Sequence, residues 1–423
     1  MTVFNWVKKI WNKLGPGFVT GAADDDPSGV ATYSIAGAQF GYQLNWMALF
    51  LIPAMVSIQE MCARIGMGTG RGLAGTIKKY YSKKLLYFAV GLLAIANVIN
   101  IGADLGIMAA CMKMLFGFYH FYWLIICAVF IVWMEIAISY KKYSKFLKWM
   151  GLTLCVYIIT AFMVKQDWKE IVWYTIVPHI DLTLPYILTM VGFLGTTISP
   201  YLFFWQASDQ VEQQIDEGKI KDFNHIPKIF PREIKRMAWD TKAGMIFSNL
   251  ITYFILLTTA ATLHKAGMFN ITSVQQAAGA LRPLAGNFAY ILFSVGIIGI
   301  GWQSIPVLAG SVGYALAETM GTKQGLSKDF RKAKSFYLII ALATIVGMLL
   351  NLFGVNTIKA LFWAAIINGI VAVPLIAIII KLADDERIVG RYTTKKHYRM
   401  IGWGTFSFML LAVGVMIFGM IKG

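Results

Sequence analysis

Charge is the first thing this chain is short of. Only 14% of its 423 residues are Asp, Glu, Lys or Arg, where a soluble globular protein carries about a quarter. Acidic residues are the scarcer sign, 21 against 38 basic, giving a net charge of +17. The four cysteines (Cys62, Cys111, Cys127, Cys155) stand singly in apolar stretches. That spacing excludes a disulfide framework and a Cys-x-x-Cys metal or redox site, and it reads as small buried hydrophobes. Gly-rich phosphate loops and the zinc-protease and serine-hydrolase motifs are absent, which removes the usual signatures of soluble enzymes. The opening MTVFNWVKKIWNK is short, basic and aromatic, unlike a cleavable signal peptide. What is abundant is hydrophobicity, 58% of residues, with a mean hydropathy of +0.63. Long apolar runs recur from end to end, as in an all-α polytopic membrane protein.

Eleven transmembrane helices are expected, centred near residues 27, 57, 100, 130, 157, 200, 251, 303, 344, 371 and 411. Basic residues in the connections set the orientation. Segments 1–13, 70–84, 141–148, 218–236, 322–335 and 384–399 hold 28 Lys and Arg, against seven in the alternate connections. The expectation is an integral protein of the plasma (inner) membrane, N-terminus cytoplasmic and C-terminus outside. The connections are short apart from 165–184 and 207–239, the latter reading as a solvated connector rich in both charge signs. The net positive charge therefore belongs to membrane topology and implies no nucleic-acid partner.

Two of the apolar segments are interrupted. The first reads GPGFVTGAADDDPSGVATYSIAGAQFG, with Asp24, Asp25 and Asp26 running into Pro27; the sixth breaks at Ser199-Pro200. Proline removes a helix donor, and glycine permits unwinding. Freed carbonyls within a bilayer must be buried or bind something. Breaks in segments 1 and 6 divide the chain into two five-helix halves, residues 1–165 and 184–382, with an extra helix at 400–421. An odd number of spans per half inverts the second relative to the first. That is the LeuT-like inverted-repeat plan of secondary transporters, with a midplane site between the broken helices. Pro53, Pro306 and Pro374 lack a neighbouring charge or glycine cluster and read as ordinary kinks.

A carboxylate at membrane depth costs roughly 3 kcal/mol or more unless paired or hydrated. One aspartate suffices to cap the second half-helix. Three in succession point to a cation site, where carboxylate and carbonyl oxygens converge as hard divalent ions require.

The stretch GPGFVTGAADDDPSGVATYSIAGAQFGYQLNW, followed by QEMCARIGMGTGRGLA, resembles the opening of the NRAMP divalent metal-ion transporters. Gln59, Arg64, Ile65, Gly66, Thr69 and Gly70 fall on the family's second-helix pattern. The resemblance is dense over the first 75 residues and recognisable around 95–117 and 190–215. It implies that Asp26 is the metal-binding aspartate and that the carbonyls of Ala23 and Thr196 are ligands. It also places Ser199-Pro200-Tyr201-Leu202 on the family's Met-Pro-His-Asn.

The departures bear on the cargo. Gly29 stands where the family has an asparagine ligand, and Ser199 where it has a thioether. Sulfur favours Mn²⁺ and Fe²⁺ over hard ions, and smaller side chains leave room for the waters Mg²⁺ holds. The pattern looks like the divergent NRAMP-related magnesium transporters, so Mg²⁺ is the expected cargo with Mn²⁺ also carried, as substrates and not cofactors. The five histidines (120, 179, 225, 264, 397) lie in predicted connections or at helix ends. Asp104 falls on one family acid of the third helix, while Ile101 falls on the other. Uncoupled transport is therefore expected, with Asp104, Asp25 and Tyr201 as candidates for a proton or ion pathway. Asn368 is a further candidate ligand from the tenth helix, or an interhelical hydrogen-bonding group beside Gly369. Gln206, Asp209 and Glu212 share one end of the sixth helix, and Glu60 and Arg64 are spaced for an i, i+4 pair.

The alternatives are a proton-coupled Mn²⁺/Fe²⁺ importer, a sodium-coupled organic-substrate symporter on the same plan, and a membrane prenyl-transfer enzyme using the Asp-rich patch. Three adjacent aspartates oppose an anionic organic substrate. The only other acidic cluster, Asp384-Asp385-Glu386, lies in a basic connection and supplies no facing motif for a diphosphate. A transporter, not an enzyme, is the expectation; a monomer is compatible with it.

Overall fold

The structure, a computed structural model, describes residues 15–138 and 151–422. The basic segments 1–13 and 141–148 thus lie outside the described residues. Among the described residues the chain is helical, without a strand. The first span is split into α1 (Pro16–Asp24) and α2 (Pro27–Phe40). It is followed by α3 (Asn45–Thr69), a short α4 (Leu73–Tyr80), α5 (Lys83–Phe116), α6 (His120–Ala137), α7 (Cys155–Met163) and α8 (Trp168–Ile176). The second half opens with the split pair α9 (Leu184–Thr197) and α10 (Pro200–Asp216). Then come α11 (Pro231–Thr259), α12 (Ala289–Met320), α13 (Lys334–Leu350), α14 (Thr357–Asp384) and α15 (Lys396–Lys422). Every expected span centre falls in one of these elements. Nine segments among the described residues are long and apolar enough to cross a membrane. The α1–α2 pair and α7 account for the other two expected spans. Pro53, Pro306 and Pro374 sit inside continuous helices.

The expected 207–239 connector is largely helix. The sixth span continues to Asp216 and α11 starts at Pro231, because no proline or glycine interrupts the sequence before Gly218. The connection between them is tied by Lys219 to Glu217 and Glu233, and by Arg236 to Glu217. The expected Glu60–Arg64 pair forms inside the bundle at 2.7 Å.

Both split helices lie at the centre. α1 packs on α11, α2 on α11, α9 and α14, and α10 on α3 and α12. Small residues permit the approach. A Cβ on Gly195 would lie 2.7 Å from Gly369 Cα, so α9 and α14 meet backbone to backbone beside Asn368. At one end of the bundle the Asp240 carboxylate accepts from the amides of Gly15 (2.7 Å) and Gly17 (2.8 Å). It thereby satisfies donors that the first turn of any helix leaves open. Glu318 does the same for α4, accepting from Gly72 (2.6 Å) and Gly75 (2.7 Å).

Candidate ion site at the two helix breaks

Each break follows from one missing donor. In an α-helix the N–H of residue i bonds the carbonyl of residue i−4. Pro27 has no N–H for the Ala23 carbonyl, and Pro200 has none for that of Thr196. These are the two carbonyls implied as ligands, and in both cases a hydroxyl takes the vacant acceptor. Tyr201 donates to the Ala23 oxygen at 2.9 Å, and Ser199 donates to the Thr196 oxygen at 2.7 Å and that of Gly195 at 3.0 Å.

Asp26 occupies the gap between α1 and α2 in extended conformation (φ −71°, ψ 170°) and caps α2. Its two oxygens divide the work. Oδ1 accepts from the Gly29 amide (2.6 Å) and the Ser28 hydroxyl (2.8 Å), which is the capping role. Oδ2 accepts from Asn100 Nδ2 on α5 (2.9 Å), with the Tyr201 hydroxyl at 3.5 Å. Tyr201 thus bridges Ala23 and Asp26, the two groups a cation in the gap would bridge. Gly29 packs closely beside them, where a larger residue would be crowded. A Cβ there would come within 3.1 Å of Thr196 Oγ1 and 3.4 Å of Asp26 Oδ1.

The other two aspartates turn away from this cluster. Asp24 accepts from Ser248 (2.6 Å) and Asp25 from Thr252 (3.2 Å), both on α11. Tyr33 and Thr197 bond at 3.0 Å across α2 and α9. Asp104, one turn beyond Asn100, has Oδ2 3.4 Å from the Ser304 hydroxyl and Oδ1 buried without a partner. Asn368 is buried with neither amide atom hydrogen-bonded, and Thr196 Oγ1 is likewise unpartnered. Glu212 is used structurally, accepting from Tyr314 and the Leu326 amide, each at 2.7 Å. Gln206 and Asp209 are buried on α10. His264 bonds the Ala38 carbonyl, and no histidine hydrogen bond reaches Asp26, Ala23 or Thr196 among the described residues.

The structure therefore brings Asp26, Ala23 and Tyr201 into direct contact, with Gly29, Thr196 and Ser199 adjacent. Asn368 and Asp104 stand on neighbouring helices, and Asp25 faces elsewhere. Asn100 is the contact that the sequence reading missed. Its signal was three polar residues, Asn97, Asn100 and Asp104, at helical spacing in an apolar run. Among the described residues no three His, Cys, Asp or Glu side chains converge as a metal cluster. The donor set is one carboxylate among neutral oxygens and amides, suited to a hard cation that keeps part of its water.

Two split helices at the centre of a bundle of long apolar helices, with the freed Ala23 carbonyl and the Asp26 carboxylate sharing one hydroxyl, define a secondary transporter of the inverted-repeat class. Comparison with known proteins narrows this. The family described as natural resistance-associated macrophage protein-like (Nramp) matches residues 17–419, and the chain belongs to that family of membrane transporters. It is 24% identical over 429 residues to the divalent metal cation transporter MntH of Klebsiella pneumoniae subsp. pneumoniae, covering 97% of this chain and 94% of that protein. The fold is similar to that of a manganese transporter from Eremococcus coleocola, crystallised with an aromatic bis-isothiourea compound. The TM-score is 0.71 at 16% identity, covering 100% of this chain and 96% of the other. A nucleobase-cation-symport-1 family transporter in a closed conformation also shares the fold, with TM-score 0.63 at 12% identity over 97% and 93% of the two chains.

Proposed function

We propose that this protein carries divalent metal ions across a membrane by alternating access, with Mg²⁺ as the main cargo and Mn²⁺ as a second one, and without moving protons. Divalent metal transport is supported by family membership and by the described activity of the Klebsiella relative. The observation that carries the finer reading is the donor set at the breaks. Asp26 supplies charge, the Ala23 and Thr196 carbonyls supply neutral oxygens, and position 199 is a hydroxyl already engaged with Thr196. No sulfur ligand stands there to favour Mn²⁺ or Fe²⁺, and Gly29 leaves room for water. In this reading Asp26 holds the ion through Oδ2 while Oδ1 keeps α2 capped. Asn368 and Thr196 Oγ1 offer unpartnered polar groups to the ion's hydration shell. The plasma membrane is the proposed location, with the N-terminal side cytoplasmic, from the bias of 28 basic residues to seven.

A second reading, proton-coupled import of Mn²⁺ or Fe²⁺, is favoured by one observation, the unpartnered Oδ1 of Asp104 one turn from Asn100. Uptake of Mg²⁺ into proteoliposomes, with internal pH followed in the same vesicles under an imposed voltage, separates the two. Mg²⁺ entry without acidification is the expected result. Acidification that tracks metal entry supports the second reading. Mn²⁺ entry with no Mg²⁺ entry refutes the cargo assignment.

A further inference from the structure

Building on Asp26 as the carboxylate of the ion site, we infer that Asn100 sets the site's ion preference. Its Nδ2 fixes Asp26 and its Oδ1 accepts a hydrogen bond from a water on the bound ion. An ionised carboxylate only accepts, so the amide must turn its NH₂ toward Asp26 and its carbonyl away. The Nδ2–Oδ2 distance is 2.9 Å. The two ends of one amide are about 2.2 Å apart, so Oδ1 lies at most about 5 Å from the carboxylate oxygen. There it is buried and has no protein partner, an arrangement that native interiors avoid.

A hydrated ion on Asp26 resolves it. Mg²⁺ holds water at about 2.1 Å, and that water reaches an acceptor about 2.8 Å further on. For an ion bound to Oδ2 on the Asn100 side, the unpartnered oxygen comes within range of the first water shell and is held back from the metal itself, because the nitrogen end of the same amide is pinned to Asp26. Position 29 explains why the amide enters from α5. A side chain there would crowd Thr196 Oγ1 and Asp26 Oδ1, and glycine keeps that space open for water. An amide acting through water rewards an ion that keeps its water, and Mg²⁺ gives up its water reluctantly.

The test compares Asn100→Leu, similar in shape with no polar atom, and Asn100→Ser, small enough to admit a water in place of the amide. Each is reconstituted, its thermal stability and monodispersity are checked, and Mg²⁺ and Mn²⁺ uptake are measured per folded protein. Asn100→Leu is expected to raise the KM for Mg²⁺ about tenfold and that for Mn²⁺ no more than about threefold, with maximal rates within twofold. Asn100→Ser should recover at least half of the lost Mg²⁺ preference. Equal shifts in both KM values, or a change in maximal rate alone, would make Asn100 a packing residue and overturn the proposal. Wild-type vesicles that carry Mn²⁺ and exclude Mg²⁺ refute the cargo reading, and this role with it. Wild-type Mg²⁺ uptake with Asn100→Leu unchanged refutes the role alone.

Discussion

Tyr201→Phe is the perturbation whose sign is least intuitive. The hydroxyl donates to the Ala23 carbonyl at 2.9 Å and lies 3.5 Å from Asp26 Oδ2. Ala23 has no helical partner because Pro27 stands four residues on. Removing the hydroxyl leaves a buried acceptor unsatisfied in the ion-free protein, at a cost of about 1–3 kcal/mol. The ring itself is fully buried, and phenylalanine keeps its shape. When an ion occupies the gap, it takes the Ala23 oxygen and removes that penalty. The ion-free state alone is therefore destabilised, and binding tightens by the same amount. At 1.4 kcal/mol per factor of ten, that is about 5- to 150-fold in Kd.

Isothermal titration of Mg²⁺ into purified protein reads this directly, and proteoliposome uptake reads its consequence. The variant should show a lower Kd, a lower KM and a lower maximal rate, since tighter holding slows release. Its melting temperature without metal should fall, and the stabilisation on adding Mg²⁺ should exceed that of the wild type. A weaker Kd would refute the reasoning. It would mean that the hydroxyl contributes to the bound ion more than it competes with it.

The same carbonyl predicts the opposite effect from Pro27→Ala. A restored N–H at position 27 can bond Ala23 and extend α1, so Mg²⁺ binding should weaken at least fivefold, read by the same titration. Asp26→Asn keeps the cap, because asparagine is as good a cap as aspartate, but removes the charge. The fold should survive by circular dichroism while Mg²⁺ uptake drops at least 100-fold. Ser199→Met should raise the preference for Mn²⁺ over Mg²⁺ in competition uptake, and no change would place position 199 outside the ion's coordination. Asp240→Ala strands the Gly15 and Gly17 amides, each bond to a carboxylate being worth about 1.5–3 kcal/mol. It should loosen α1 from α11, so that a cysteine substituted for the buried Thr20 reacts with a thiol reagent at least tenfold faster.

Much of the fold was legible because it rests on local rules. Apolar runs of spanning length located the helices, and Pro27 and Pro200 located the breaks. Asp26 beside one of them marked the candidate site, and the structure puts it in the gap between α1 and α2. The relations that close the molecule were not legible, since they join distant positions. Asp240 caps a helix 223 residues earlier, Glu318 one 243 residues earlier, and no periodicity reports such a pairing. Asn100 was missed for a different reason. Amides at helical spacing in an apolar run are compatible with any interhelical hydrogen bond, and only the placement of Asn100 opposite Asp26 gives it a specific task. The 207–216 stretch was read as connector on its mixed charge. Its buried Asp209, Gln210, Glu212 and Gln214 show that polar composition at the end of a span marks an interior polar face as readily as a solvated loop.

The two breaks obey one rule but are not equivalent, and the difference bears on how an ion enters. The Thr196 carbonyl is closed by Ser199, from within its own break, so this bond stays whole however the halves move. The Ala23 carbonyl is closed by Tyr201, from the other broken helix and 178 residues away. That bond exists only while the first turn of α10 lies against the end of α1. Separating the two broken helices therefore strips Ala23 and one side of Asp26 together. It does so on the element whose far end is held by the Asp240 cap. In the proposed cycle the ion meets the Ala23–Asp26 pair first, as the acceptor and the charge that opening uncovers. Thr196 and the unpartnered Asn368 come into range only on closure. On the proposed Mg²⁺ reading, a preference for a hydrated ion would then be imposed at the closing step, where Asn100 accepts a hydrogen bond from water that a thioether at position 199 would displace.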